Sequence, residues 1–171
     1  MPQERANVTK FMNNPVTVIG PELKAGDKAP DFVLADNDLK PFSLADAKGK
    51  VTIISCVPSL DTPVCDLETR RFNKEAAAIG DIRILTVSMD LPFAQKRWCG
   101  AAGVEKVKTL SDYRGAAFGQ AYGALIKELY LLARAIFVLD KEGIIRYVRF
   151  TDDVTQEPDY NAAIEAAKKL V

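Results

Sequence analysis

The stretch Val51-Thr52-Ile53-Ile54-Ser55-Cys56-Val57 constrains the fold more than any other part of the chain. It is apolar and β-branched, with no punctuating Gly or Pro, and reads as a buried strand. The segment Asp66 to Ala78 that follows is rich in helix formers. Between them stands Pro58-Ser59-Leu60-Asp61-Thr62-Pro63-Val64-Cys65, so a strand hands over to a helix at Cys65. Asp61 or Thr62 suits the N-cap, and Pro63 suits the first helical position. Cys65 then lies in the first turn, where backbone N–H groups lack partners and the helix dipole is positive. Both effects favour a reactive thiolate. On the same helix Cys65 shares a face with Phe72, Ala76 and Ile79, so a buried structural cysteine is the alternative reading. A hydroxyl at Thr62, three residues before the sulfur, reaches across one turn to a thiolate or a bound oxygen. Pro58 and Pro63 hold the loop and shield the sulfur.

The absence of histidine from all 171 residues narrows the chemistry further. Cys-His and Ser-His-Asp catalysis in their usual forms are excluded, as are zinc sites that use histidine. A nucleophilic Cys65 must be activated by a helix terminus or an arginine instead. Lys+Arg and Asp+Glu both number 23, and no basic block points to nucleic acid. No run of apolar residues is long enough for a membrane span. Residues 1–7 lack an apolar signal core, so a reducing cytoplasm is the expected setting. There, three cysteines read as reduced or catalytic thiols. Length and a 48% hydrophobic content fit one α/β domain over residues 1–171.

Along the chain, Lys10 to Met12 and Pro15 to Ile19 flank Asn13-Asn14 as a hairpin, so residues 1–20 form a β extension ahead of the core. Asp31 to Ala35 reads as a strand, Asn37 to Lys40 as a turn, and Pro41 to Leu44 as its return. The helix after Cys65 stops near Ile79-Gly80. Ile82 to Ser88 is a second buried strand, implying a parallel crossover. Asp90 caps a short helix ending at Cys99-Gly100. Val107 to Leu110 is extended, Tyr113 to Tyr122 helical, and Glu128 to Leu132 compatible with helix or loop. Ala135 to Leu139 and Ile144 to Phe150 form a hairpin about Asp140-Gly143. A final helix opens at Asp159 or Tyr160, with Ala163, Ile164, Ala167 and Leu170 on one face. This order is that of a thioredoxin-like fold with an N-terminal β-hairpin extension.

The motif Pro58-xxx-Thr62-xx-Cys65 resembles the active-site signature of peroxiredoxins. With Arg71-Phe72-Asn73 it is similar to the thiol peroxidase subfamily, the atypical two-cysteine type. Asp90-Leu91-Pro92-Phe93-Ala94-Gln95-Lys96-Arg97-Trp98-Cys99-Gly100 resembles that subfamily's second signature, and the likeness runs from Asn14 to Tyr160. The resemblance implies that Cys65 is the peroxidatic cysteine and Cys99 the resolving one, joined during turnover by a Cys65–Cys99 disulfide. Read alone, Cys99 is a helix cysteine packed beside Trp98. The match of Ala133-Arg134-Ala135 implies an active-site Arg134, which otherwise reads as a solvated rim residue. If the Ala135 strand runs antiparallel to its neighbour, Arg134 starts at the Cys65 edge and is placed to stabilise a thiolate and orient a peroxide. Thr62 and Pro58 complete the implied site. Cys56 matches no catalytic position and reads as core packing.

The resemblance also implies hydroperoxide substrates, thioredoxin as reductant and a homodimer, with no metal, flavin or haem. Cys99 lies nine residues beyond Asp90, roughly 13 Å down its helix, whereas bridged cysteines need Cα atoms within about 7 Å. One or both cysteine-bearing helices must therefore unwind to form the bond. Two rival readings remain at this point. A thioredoxin-like disulfide reductase would carry Cys-x-x-Cys, which the chain lacks. A sensor module would react once, where a peroxidase turns over.

Overall fold

Strands as apolar as Val51–Cys56 are stable only when neighbours cover both edges and other elements cover both faces, and the observed architecture supplies both. The computed structural model describes residues 1–103 and 107–171, with Ala76 and Ala77 as backbone alone. The elements in chain order are β1 (Glu4–Phe11), β2 (Asn14–Ile19), β3 (Val33–Ala35), β4 (Pro41–Ser43), α1 (Leu44–Ala47), β5 (Val51–Cys56), α2 (Pro63–Ile79) and β6 (Ile82–Ser88). They continue with α3 (Pro92–Ala102), β7 (Val107–Ser111), α4 (Ala117–Ala121), β8 (Leu125–Ile126), β9 (Leu131–Leu132), β10 (Ala135–Leu139), β11 (Ile145–Phe150) and α5 (Tyr160–Lys168). The main sheet has the order β11-β10-β5-β6-β7-β3-β4. β5, β6 and β7 run parallel, and β10 is antiparallel to β5 with Ala135 opposite Cys56. This is the thioredoxin-like arrangement. Among the described residues no helix is long and apolar enough to cross a membrane.

The period-2 pleat sorts the β5 side chains. Val51 and Ile53 face α2 and α5, where Phe72, Ala163, Ile164 and Ala167 cover them. Ile54 and Cys56 face the other way, into a cluster with Phe118, Tyr122 and Phe137. Cys56 is therefore a core residue on the face opposite α2, and burial pushes its thiol well above the ordinary value. Of the helix face expected beside Cys65, Phe72 is buried and Ile79 partly so. The side chain of Ala76 lies outside the described residues.

A second sheet, β1-β2-β8-β9, carries the N-terminal hairpin. Its turn residues are Met12 and Asn13, both at positive φ, rather than Asn13-Asn14. Two positive-φ residues in a row give the mirror-image turn whose twist matches the strands, which moves Asn14 into β2. The hairpin is anchored where Gly20 approaches Gly123. A Cβ on Gly20 would stand 2.0 Å from the Gln120 carbonyl oxygen, and Arg5 donates to the carbonyls of both glycines.

Other expectations shift. At Glu128–Leu132, expected as helix or loop, residues 128–130 are a turn and Leu131–Leu132 is β9, a strand too short to carry a period that could be read. The helix expected from Tyr113 shortens to α4, because Gly115 and Ala116 turn left-handed first. Asp112 then acts as its cap, accepting from Phe118 N at 3.1 Å and Gly119 N at 2.8 Å. α3 runs on to Ala102, where left-handed Gly103 ends it, and its N-cap is Leu91 rather than Asp90.

Burial raises the Asp112 carboxyl to about 6, against the pull of those two amides. A carboxyl raised on folding binds more protons in the native state, so its contribution is fully present below about pH 4 and is lost as pH rises through about 6. Urea denaturation should show Asp112→Asn narrowing the wild-type decline across this window by up to about 3 kcal/mol. Parallel pH profiles for the two proteins would refute this assignment.

Candidate active site

Cys65 is held in the first turn of α2, as its sequence position requires. Thr62 is the effective cap: its Oγ1 accepts the Cys65 N–H at 3.2 Å and donates to the Ser59 carbonyl at 3.3 Å. Pro58 is buried at the start of the loop. The Cys65 side chain is fully buried, packed with Val57 and Leu60 and flanked by Trp98. The loop is fixed from the β6 end by Asp90. Its carboxylate accepts from Leu60 N at 2.8 Å and from the hydroxyls of Ser59 and Ser88, each at 2.7 Å. That set of bonds explains why Asp90 does not cap α3.

Arg134 reaches the site because β10 starts where β5 ends. Its Nη2 donates to Cys65 Sγ at 3.0 Å. The remaining donors are fixed: Nη1 pairs with Glu68 Oε2 at 2.5 Å, and Nε donates to the Val154 carbonyl at 2.8 Å. The side chains of Arg134 and Glu68 are 2% and 0% exposed, so the pair is dry. Burial alone would lower the Arg134 guanidinium, but Glu68 and Cys65 beside it raise it overall. Burial pushes the Glu68 carboxyl up, and Arg134 and the Ser55 hydroxyl, which donates to Oε1 at 2.6 Å, only partly offset that.

Glu68 is the residue that sequence reasoning missed. The available signal was its spacing: three residues after Cys65, it stands on the same helical face. A glutamate in a helix ordinarily reads as solvated, and only the fold shows that this one is sealed beneath β5 and β10.

The structure brings Pro58, Thr62, Cys65 and Arg134 together and leaves Cys99 apart. All three cysteines are free thiols. Cys99 Sγ lies 3.3 Å from Thr109 Oγ1 on β7, and Thr109 in turn donates to Asn37 Oδ1 at 2.9 Å. The single Thr109 hydroxyl proton is committed to Asn37, so Cys99 donates its S–H to Thr109.

A dry guanidinium held on a sulfur at a helix N-terminus is built to stabilise negative charge on that sulfur and on an oxygen meeting it. Comparisons with known proteins show the family to which the chain belongs. The Redoxin family profile matches residues 24–164. A protein named thiol peroxidase from Bacillus subtilis (strain 168) is 58% identical over 161 residues, 94% of this chain and 96% of that one. A thiol peroxidase from Halalkalibacterium halodurans is 56% identical over 163 residues, covering 95% and 98%. The crystal structure of a peroxiredoxin-like protein from Aquifex aeolicus superposes with a TM-score of 0.91 at 43% identity, covering 97% of this chain and 98% of that one.

Removing one partner of a buried ion pair leaves an uncompensated charge and costs about 3–5 kcal/mol. Arg134→Met should lose that much stability in urea, and Arg134→Met/Glu68→Met should recover part of it. Both variants should alkylate at Cys65 at least about tenfold more slowly than wild type, since the guanidinium is gone from each. Wild-type alkylation rates in either variant would show that Arg134 does not activate the sulfur.

Proposed function

Because the chain belongs to the Redoxin family, as a thiol peroxidase of the peroxiredoxin type, we propose that Cys65 reduces hydroperoxides and that Cys99 resolves the product. The observation that carries this reading is the 3.0 Å contact of Arg134 Nη2 with the buried Cys65 sulfur. The Cys65 thiolate attacks the terminal peroxide oxygen, the O–O bond breaks, and the leaving oxygen takes a proton to depart as water or an alcohol. Cys65 becomes a sulfenic acid. Arg134, held by Glu68 and Val154, stays in place as charge moves from sulfur to oxygen, so little reorganisation is needed. Thr62 Oγ1 keeps the Cys65 amide and turns its weakly bonded proton from Ser59 towards the peroxide. Pro58 shields the sulfur. Because Cys65 is fully buried, the loop from Pro58 to Pro63 must yield for the substrate to enter.

Cys99 then gives up its S–H proton and attacks the sulfenic sulfur, an S–S bond forms, the S–O bond breaks, and the hydroxide takes up a proton and leaves as water. With Cys65 on Arg134 and Cys99 on Thr109, the two sulfurs keep separate partners, which supports the expectation that α2, α3 or both unwind locally. Thioredoxin, a dithiol reductant, returns the pair to thiols by exchange. In this reading the chain works as one domain and as a homodimer in a reducing cytoplasm. It accepts hydrogen peroxide and alkyl hydroperoxides, favours the latter, and serves antioxidant defence.

One equivalent of an organic hydroperoxide added to the reduced protein should remove two hydrogens, mapped by peptide digestion to Cys65–Cys99 and absent in Cys65→Ser. An added oxygen that persists on Cys65 would remove Cys99 from the mechanism, and no reaction at all would remove the peroxidase reading. Hydrogen exchange should show the first turn of α2 and the last turns of α3 losing protection in the disulfide form. Equal protection in both redox forms would contradict local unwinding.

A further inference from the structure

Two residues adjacent to the reacting cysteines touch one another. Trp98, immediately before Cys99, donates its indole Nε1–H to Asp66 Oδ1 at 2.8 Å, and Asp66 immediately follows Cys65. The other oxygen of Asp66 accepts from Arg70 Nε at 2.9 Å. Arg70 then crosses to α3, where its Nη1 donates to the Ala102 carbonyl at 3.1 Å. Its guanidinium carbon also lies 5.9 Å from the centre of the Trp98 ring. The Trp98 ring packs on the cluster that encloses Cys65. Asp66, Arg70, Trp98 and Ala102 thus join the first two turns of α2 to the last two turns of α3.

We propose that this set is an interhelical latch that controls when the two cysteines meet. Neither helix turn can unwind without breaking the Trp98–Asp66 bond, and α3 cannot unwind at its end without releasing Ala102 from Arg70. The Asp66 N–H donates to the Thr62 carbonyl at 2.9 Å as a backbone bond of the α2 start, but no latch side chain hydrogen-bonds Arg134, Glu68 or Thr62 among the described residues, so the latch side chains act on the resolving step and not on the first attack. The chemical consequence is a partition. While the latch holds, the Cys65 sulfenic acid stays beside Arg134, where a second hydroperoxide can convert it to a sulfinic acid, its own O–O bond breaking to leave water or an alcohol. Once the latch opens, Cys99 closes the disulfide with loss of water. The latch therefore sets the ratio of irreversible to reversible oxidation. Trp98, Asp66 and Arg70 are positioning residues in this scheme, which rests on the proposed peroxidase reading.

Trp98→Phe keeps an aromatic ring and removes the Nε1–H together with the pyrrole half of the indole. One hydrogen bond to a partly exposed carboxylate corresponds to a rate change of about threefold to tenfold. In stopped-flow and quenched mass measurements, Trp98→Phe should close the disulfide faster by that factor. At high peroxide it should accumulate less sulfinic acid. Arg70→Gln, at an exposed position, should shift both quantities in the same direction while forming the sulfenic acid at the wild-type rate. Hydrogen exchange in the reduced proteins should show faster exchange in the first turns of α2 and the last turns of α3 in both variants. Unchanged exchange and an unchanged sulfinic fraction in both variants would overturn the latch. Faster exchange with no Cys65–Cys99 disulfide in any protein, wild type included, would confirm that the contacts hold the helices but overturn both their redox role and the resolving role of Cys99.

Discussion

The structure around the reactive sulfur depends on one buried guanidinium. Arg134 is buried away from bulk solvent, so its donors must find partners inside the protein. Glu68, the Val154 carbonyl and Cys65 provide them. Cys65 and Glu68 come from one face of α2, Val154 comes from the segment after β11, and the start of β10 carries Arg134 itself between them. A pair this dry adds little net stability over apolar packing of equal volume, and its loss is expensive. Its value lies in orientation. A guanidinium bound on two sides presents the third to sulfur and cannot swing away as charge develops.

The same rigidity sets up a conflict that the fold has to accommodate. In the proposed mechanism, attack on a peroxide asks for Cys65 to be enclosed, capped by Thr62 and pressed against Arg134, and disulfide closure asks for the same turn of helix to let go. α3 mirrors this on its side: Cys99 is tied to Thr109 and Trp98 to Asp66, so the second thiol is stored rather than poised. The two helices are separate elements on one face of the sheet, bound to each other at their ends by polar contacts. Such contacts are individually worth little and can break one at a time, whereas the buried strands beneath them need not move.

Much of this was legible in the sequence because the strongest signals coincide with the site. The apolar run of β5, the Thr62-Pro63 start of α2 and the Gly80 stop are local features, and the structure reproduces them. Topology put Arg134 at the Cys65 edge, since an antiparallel β10 begins where β5 ends, but by itself it read as a solvated rim residue and only the resemblance pointed it at the sulfur. Glu68 was not, since a charged helix residue reads as solvated until its tertiary neighbours are known. Asp90 was misread for a related reason. A cap and a loop tether use the same carboxylate chemistry, and only the position of the Ser59–Leu60 backbone decides between them. β8 and β9 were invisible because two residues define no period, and their pairing is set by β2 and by each other.

The N-terminal hairpin carries a consequence for how the molecule is made. Lys10 N donates to the Asp152 carbonyl, Val154 N donates to the Lys10 carbonyl, and the Thr9 hydroxyl donates to the Thr151 carbonyl. The same short segment holds Arg134 in two ways: Val154 accepts from its side chain, and Thr151 N donates to its backbone carbonyl. β1 therefore docks on residues made more than a hundred positions after it. During synthesis β1 and β2 can pair with each other but must wait for more than a hundred further residues before the outer face of β1 finds its place. Contacts so distant in sequence slow the final step of folding, and until then the ribosome-bound chain displays an unprotected strand edge of the kind that invites association with other chains.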